Sequence, residues 1–160
     1  MESSAATTDM DPRFLPRKRL NHETPYWITE NSDYFLTICA EPRGENHLCN
    51  DRIGPAVLEA VRFYNEKERW FCSIALLMPD HVHMLVCFPS DAILSRVVGS
   101  WKRALTRSHT ITWQRNFFEH RLRNEENARD KSEYILQNPV QAGLVEDWQK
   151  WPYYWMPKAY

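Results

Sequence analysis

No apolar run in this chain approaches the ~18 residues that a membrane helix needs, and the opening MESSAATTDMDP lacks the charged-then-apolar plan of a secretory signal. These two absences predict a cytoplasmic protein. Neither sign of charge dominates: 20 Lys plus Arg face 21 Asp plus Glu, for a formal net charge of -1. Such a balance fits neither a disordered tail protein nor a globally basic DNA-coating protein. The 4 cysteines, Cys39, Cys49, Cys72 and Cys87, show no CxxC or other zinc spacing. Three of them lie in apolar runs, so they read as reduced core residues. Glycine is scarce, with 4 residues, and there is no internal repeat and no low-complexity stretch. Nothing divides the chain into separate domains.

What is present is one domain's worth of material, 160 residues, with enough apolar content for a real core. Seven each of Trp, Tyr and Phe make that core aromatic and leave rings to spare for a surface. Residues 1–20 are polar, interrupted by proline and end in the cluster Arg13, Arg17, Lys18, Arg19, a flexible basic leader. Residues 21–160 form the single folded domain.

Within it YFLTICAE, from Tyr34, alternates like a strand. Ile53 to Arg69 places Ile53, Val57, Ala60, Val61 and Tyr64 at helical spacing, with Pro55 tolerable in the first turn. WFCSIALLMPDHVHMLVCFP reads as an antiparallel pair turned at Pro79-Asp80. Ala92 to Arg107 is a second amphipathic helix, with Asp91 as its cap. NFFEHRLR reads as a short strand, and Asn124 caps a third helix that Asn138-Pro139 stops. The order predicts an α+β fold: an antiparallel sheet of about four strands with helices packed on one or both faces. The final thirteen residues hold six aromatics and read as a tail that covers an exposed face.

The sharpest local feature is His81-Val82-His83. Strand alternation puts both imidazoles on one face, about 7 Å apart at roughly 3.4 Å per residue, with Val82, Met84, Val86 and Phe88 on the other. Spacing alone allows a shared divalent metal or ordinary polar strand positions. Tyr134 and Asn138, four apart, share one helical face, where a phenol and an amide oxygen can be presented together or simply packed. Between Ala92 and Arg123 lie Arg96, Lys102, Arg103, Arg107, Arg115, Arg121 and Arg123 against the single acid Glu119, a local excess of six positive charges. Interleaved with Trp101, Trp113, Phe117 and Phe118, that excess suits phosphate contacts and base stacking on single-stranded or hairpin DNA, or a solvated helix face.

Taken together, MPDHVHMLV, WQRNFFEHRLRNEEN and YILQNPVQAGLV resemble, in order and spacing, the REP-associated tyrosine transposases, a branch of the single-tyrosine HUH transposases of insertion sequences. The resemblance runs from Tyr34 to Trp155. It implies a palm or RRM-like (ferredoxin-like) domain in which His81, His83 and Asn138 hold a divalent ion, Mg or Mn, and Tyr134 is the nucleophile. It also implies a DNA strand transferase acting on hairpins of the repetitive extragenic palindrome type, as a monomer or homodimer, through a phosphotyrosine intermediate. Two positions depart from the family form: Asp80 stands in place of an Asn, and Gln141 in place of a basic residue. A domesticated repeat-DNA-binding protein and a metal-dependent hydrolase are the alternatives. A phenol of pKa ~10 is a poor nucleophile at neutral pH, so the chemistry requires an activated phosphate.

Overall fold

The computed structural model describes residues 32–123 and 128–158. The expected leader and the expected Asn124 cap lie outside the described residues. Strands β1 (Asp33–Cys39), β2 (Phe71–Met78), β3 (His81–Cys87), β4 (Phe118–Arg121) and β5 (Tyr154–Trp155) form one sheet in the order β4-β1-β3-β2-β5, every neighbouring pair antiparallel. The helices are α1 (Ile53–Glu66), α2 (Leu94–His109) and α3 (Ala128–Gln141). Through β4 the chain runs β-α-β-β-α-β, the ferredoxin-like succession. Four strands were expected; the fifth comes from the aromatic tail, whose Tyr154 and Trp155 pair with Leu76 and Ala75 on the free edge of β2.

The two sheet faces carry separate cores. Leu36, Ile38, Val82, Met84 and Val86 face Val57 and Val61 of α1 and Val98, Trp101 and Leu105 of α2. On the opposite face Phe35, Ile74, Leu76, Met78 and Leu85 meet Ile135 and Leu136 of α3, with Trp151 from the tail. Each such fully buried aliphatic side chain contributes on the order of 1.5–3 kcal/mol, so both helical layers are held by apolar burial. An irregularity between Cys72 and Ile74 shifts the β2 register. The bulge resets the alternation of β2, so that Ile74, Leu76 and Met78 join the face that bears His81 and His83.

Two helix boundaries differ from expectation. Asp91 does not cap α2: the N-cap is Ile93, in extended backbone and without a side-chain cap bond, and the Ala92 N–H turns back to the Pro89 carbonyl. Pro139 does not stop α3 either, because the helix continues to Gln141 with the proline inside it. The stop is Gly143, whose φ of 71° is the left-handed geometry that glycine adopts without strain. There the Leu144 N–H reaches the Pro139 carbonyl and the Gly143 N–H reaches that of Val140, a Schellman closure. All four cysteines are free thiols. Among the described residues no helix is long and apolar enough to cross a membrane.

Candidate active site

The site grows out of the middle of the sheet. In the antiparallel register Thr37 of β1 lies opposite His83 of β3, which puts their side chains on one face. The Thr37 hydroxyl is 3.0 Å from His83 Nδ1. Asp80, in the β2–β3 turn, places Oδ1 2.7 Å from His81 Nδ1. Its other oxygen, Oδ2, accepts from the Gly44 N–H at 2.8 Å and pairs with Arg43 Nε at 3.0 Å. Partial burial disfavours the charged carboxyl, but Gly44, His81 and Arg43 together hold it below the usual carboxylate range. An ionised carboxylate only accepts, so the His81 proton sits on Nδ1 and Nε2 carries the lone pair.

The two rings do not stand 7 Å apart, as strand geometry alone predicts. They lean together, with centroids 4.6 Å apart and Nε2 to Nε2 at 3.2 Å. Burial, with His81 beside it, pushes the His83 pKa down to about 3 against the opposing hydrogen bond from Asn138. Burial likewise lowers that of His81, against the pull of Asp80. Both rings are therefore neutral near pH 7 and offer lone pairs.

The face of α3 supplies the remaining groups. Tyr134, 48% exposed, stands with its ring centroid 6.5 Å from that of His83. One turn later Asn138 turns Nδ2 to its own helix, donating to the carbonyls of Tyr134 at 2.9 Å and Ile135 at 3.4 Å. With Nδ2 on its own helix, Oδ1 is the end of the amide left free, and the Asn138 side chain opposes the fall of the His83 pKa. Phe35 stacks on His83 at 5.3 Å and meets Tyr134 at 6.1 Å, edge to face. Lys131 Nζ lies 5.2 Å from the Phe35 centroid and 5.5 Å from that of Tyr134.

These residues fit a divalent ion. Neighbouring ligands at about 2.0–2.2 Å from one cation lie roughly 3–3.4 Å apart, and the 3.2 Å between the two Nε2 atoms falls in that interval. Among the described residues no group of three or more His, Cys, Asp or Glu could hold a metal. A closed zinc site is therefore not available there. Two imidazoles and an amide oxygen leave positions open, and the mixed nitrogen and oxygen set suits Mn or Mg.

No family model matches the chain. A Haemophilus influenzae protein provisionally named a REP-associated tyrosine transposase is 26% identical over 145 residues, covering 79% of this chain and 80% of its own. The Escherichia coli REP-associated tyrosine transposase is 31% identical over 81 residues, 49% of each chain. A solved REP-associated tyrosine transposase, bound to a REP hairpin, has the same fold, with a TM-score of 0.68 over 82% of this chain and 81% of its own at 24% identity.

Over most of its length the chain is similar to the REP-associated tyrosine transposases.

Of the positions that the resemblance to those transposases singles out, His81, His83, Tyr134 and Asn138 come together on one sheet face. The basic residues do not join them. α2, which carries Arg96, Lys102, Arg103 and Arg107, packs on the opposite face. Arg121 lies opposite Tyr34, hence on the α2 side, whereas Phe118 and His120 lie opposite Thr37 and Phe35, on the site's side. Arg96, Arg103, Arg107, Arg115 and Arg123 are exposed. Lys102 is occupied within the fold: Nζ donates to the carbonyls of Gln114 at 2.6 Å and Arg115 at 3.1 Å. The expected stacking rings also divide. Trp101 and Trp113 are core residues, 0% and 9% exposed, while Phe118 is 43% exposed and meets Phe35 edge to face at 6.2 Å.

Thr37, Phe35, Lys131 and the Arg43-Gly44 pair escaped the sequence reading. Lys131 alone carried a usable signal, one helical turn before Tyr134. The others depend on strand register and on a loop that closes over the β2–β3 turn.

Proposed function

We propose that this protein is a divalent-cation-dependent strand transferase that cleaves and rejoins single-stranded or hairpin repeat DNA through Tyr134. The observation that carries the reading is the convergence of His81 Nε2, His83 Nε2 and Asn138 on the sheet face that also bears Tyr134. His81, His83 and Asn138 would hold the ion. When bound, Mg or Mn would withdraw charge from a non-bridging phosphate oxygen and stabilise the negative charge that develops during attack.

The chain's own groups supply the rest. The oxygen of Tyr134 forms the new bond to phosphorus as the bond to the 3' oxygen breaks. The phenol loses a proton and the departing oxygen gains one, so the products are a 5'-phosphotyrosyl linkage and a free 3' hydroxyl. Because the phosphodiester energy stays in that linkage, the same hydroxyl or another can attack it in reverse, and strands rejoin without a nucleotide cofactor. Lys131, above the ring of Tyr134, adds positive charge on the approach to the nucleophile. Phe118, exposed at the rim of the same face, offers a stacking surface for a base next to the cleaved position.

Arg96, Arg103, Arg107 and Arg115 would meet phosphates away from the cleavage point, along the folded part of the hairpin. One chain presents both the imidazole pair and the tyrosine, which supports action as a monomer. The test is cleavage of a labelled hairpin oligonucleotide with and without Mn. Cation-dependent cutting that is lost in His81→Ala and His83→Ala supports the reading. Cutting unchanged by both substitutions overturns it.

A further inference from the structure

Proline in a helix interior removes one N–H and leaves the carbonyl four residues earlier without its donor. In α3 that proline is Pro139, buried and inside the helix, and the carbonyl is that of Ile135. The Asn138 side chain reaches this carbonyl, with Nδ2 at 3.4 Å, while also donating to the Tyr134 carbonyl at 2.9 Å. An amide has one donating end and one accepting end. With the NH₂ end committed to the helix backbone, the oxygen is the end left free, on the helix face that brings Tyr134 to His83.

We propose that Pro139 is a positioning residue for the cation site: by leaving the Ile135 carbonyl without a backbone donor, it gives the Asn138 NH₂ a second anchor beside the Tyr134 carbonyl, and so keeps Oδ1 as the end presented to the imidazole pair. This inference rests on the cation reading of the preceding section and deepens it. It accounts for a residue that is otherwise a liability in a helix that continues to Gln141. It also bears on the ambiguity of an Asn side chain, whose two ends are nearly isosteric. With an N–H restored at position 139, the Ile135 carbonyl gains a backbone partner and the amide keeps only its bond to the Tyr134 carbonyl. Held by one anchor, the amide flips more readily and then presents NH₂, which cannot ligate, to the imidazole pair.

Two measurements test this on the full chain. The first is the Mn affinity of the wild type, Pro139→Ala, Asn138→Ala and the double variant, from Mn titration by electron paramagnetic resonance. Loss of a group that orients a ligand typically weakens metal binding about 10–100-fold. Pro139→Ala is expected to bind Mn about tenfold more weakly than the wild type, and to have no further effect in the Asn138→Ala background, since it acts through that amide. Wild-type affinity in Pro139→Ala, or the same loss in both backgrounds, overturns the proposal.

The second measurement needs no metal and does not require the proline variant to fold. In the ¹⁵N spectrum of the wild-type protein, the Asn138 NH₂ pair, assigned by its disappearance in Asn138→Ala, should exchange with solvent at least about tenfold more slowly than an exposed side-chain amide. Exchange at the exposed-amide rate overturns the proposal. A wild-type protein that protects this amide yet does not bind Mn retains the amide orientation and defeats the cation reading instead.

Discussion

His81 Nε2 and His83 Nε2 stand 3.2 Å apart, each ring fixed from behind through Nδ1, one by the Asp80 carboxylate and the other by the Thr37 hydroxyl. Two imidazole nitrogens so close can share one proton or one cation. Mn at a hundredfold its dissociation constant should stabilise the fold by about 2.7 kcal/mol, a rise in Tm of roughly 5–10 °C for a chain of this size. The shift should vanish in His83→Ala. A thermal melt with and without Mn checks both.

The groups behind the imidazoles should matter nearly as much as the ligands. Thr37→Val keeps the shape of the side chain but removes the partner of His83 Nδ1, and Asp80→Ala removes that of His81. Each should weaken Mn about tenfold or more. Asp80→Asn should fall between the wild type and Asp80→Ala, because one amide oxygen can still accept from the His81 Nδ1–H while the NH₂ end faces the Gly44 N–H and Arg43 that the second carboxylate oxygen now serves. Titration of the three variants decides it, and a loss in Asp80→Asn as large as in Asp80→Ala would assign the effect to the second oxygen and its charge.

The placement of the rings separates stability from recognition. Trp101→Ala empties a site that is 0% exposed and should cost about 3–5 kcal/mol of folding stability. Phe118→Ala should leave the melting curve nearly unchanged, yet weaken single-stranded binding by about 1–3 kcal/mol. Denaturant unfolding together with oligonucleotide binding distinguishes the two.

Much of this arrangement could be read before the fold was known, and the remainder shows where sequence patterns stop. HVHMLVC announces a strand with two histidines on one face, since alternation is a local property of the chain. The lean of the imidazoles is not local: Thr37 is 46 residues from His83, and only the β1–β3 register sets them side by side. Pro139 fails to stop its helix for a related reason. A proline is a stop signal when its orphaned carbonyl has no other donor, and here the preceding side chain supplies one. The charge excess between Ala92 and Arg123 is continuous in sequence, but α2 packs behind the sheet and Lys102 is committed to two carbonyls. Composition counts charges without saying which face of the sheet they occupy.

Because α2 lies on the face opposite Tyr134, its arginines should affect binding and not the chemical step. Arg96→Ala, Arg103→Ala or Arg107→Ala, wherever the residue meets a phosphate, should reduce the slope of log K against log salt by about 0.7–0.9. The rate of cutting at saturating hairpin should stay within about twofold of the wild type, as expected for removal of uniform binding. Filter binding across a salt series and single-turnover cleavage test this. A large fall in the saturated rate would place these side chains at the reacting phosphate.

The central claim is that Tyr134 itself forms the bond to DNA. The direct measurement is mass spectrometry of the protein after incubation with Mn and a single-stranded hairpin oligonucleotide carrying the repeat. The account predicts a covalent protein–DNA adduct whose tryptic peptide carries the nucleotide on Tyr134, and no adduct from Tyr134→Phe. Cleaved DNA with no adduct, or an adduct of undiminished yield in Tyr134→Phe, would contradict it.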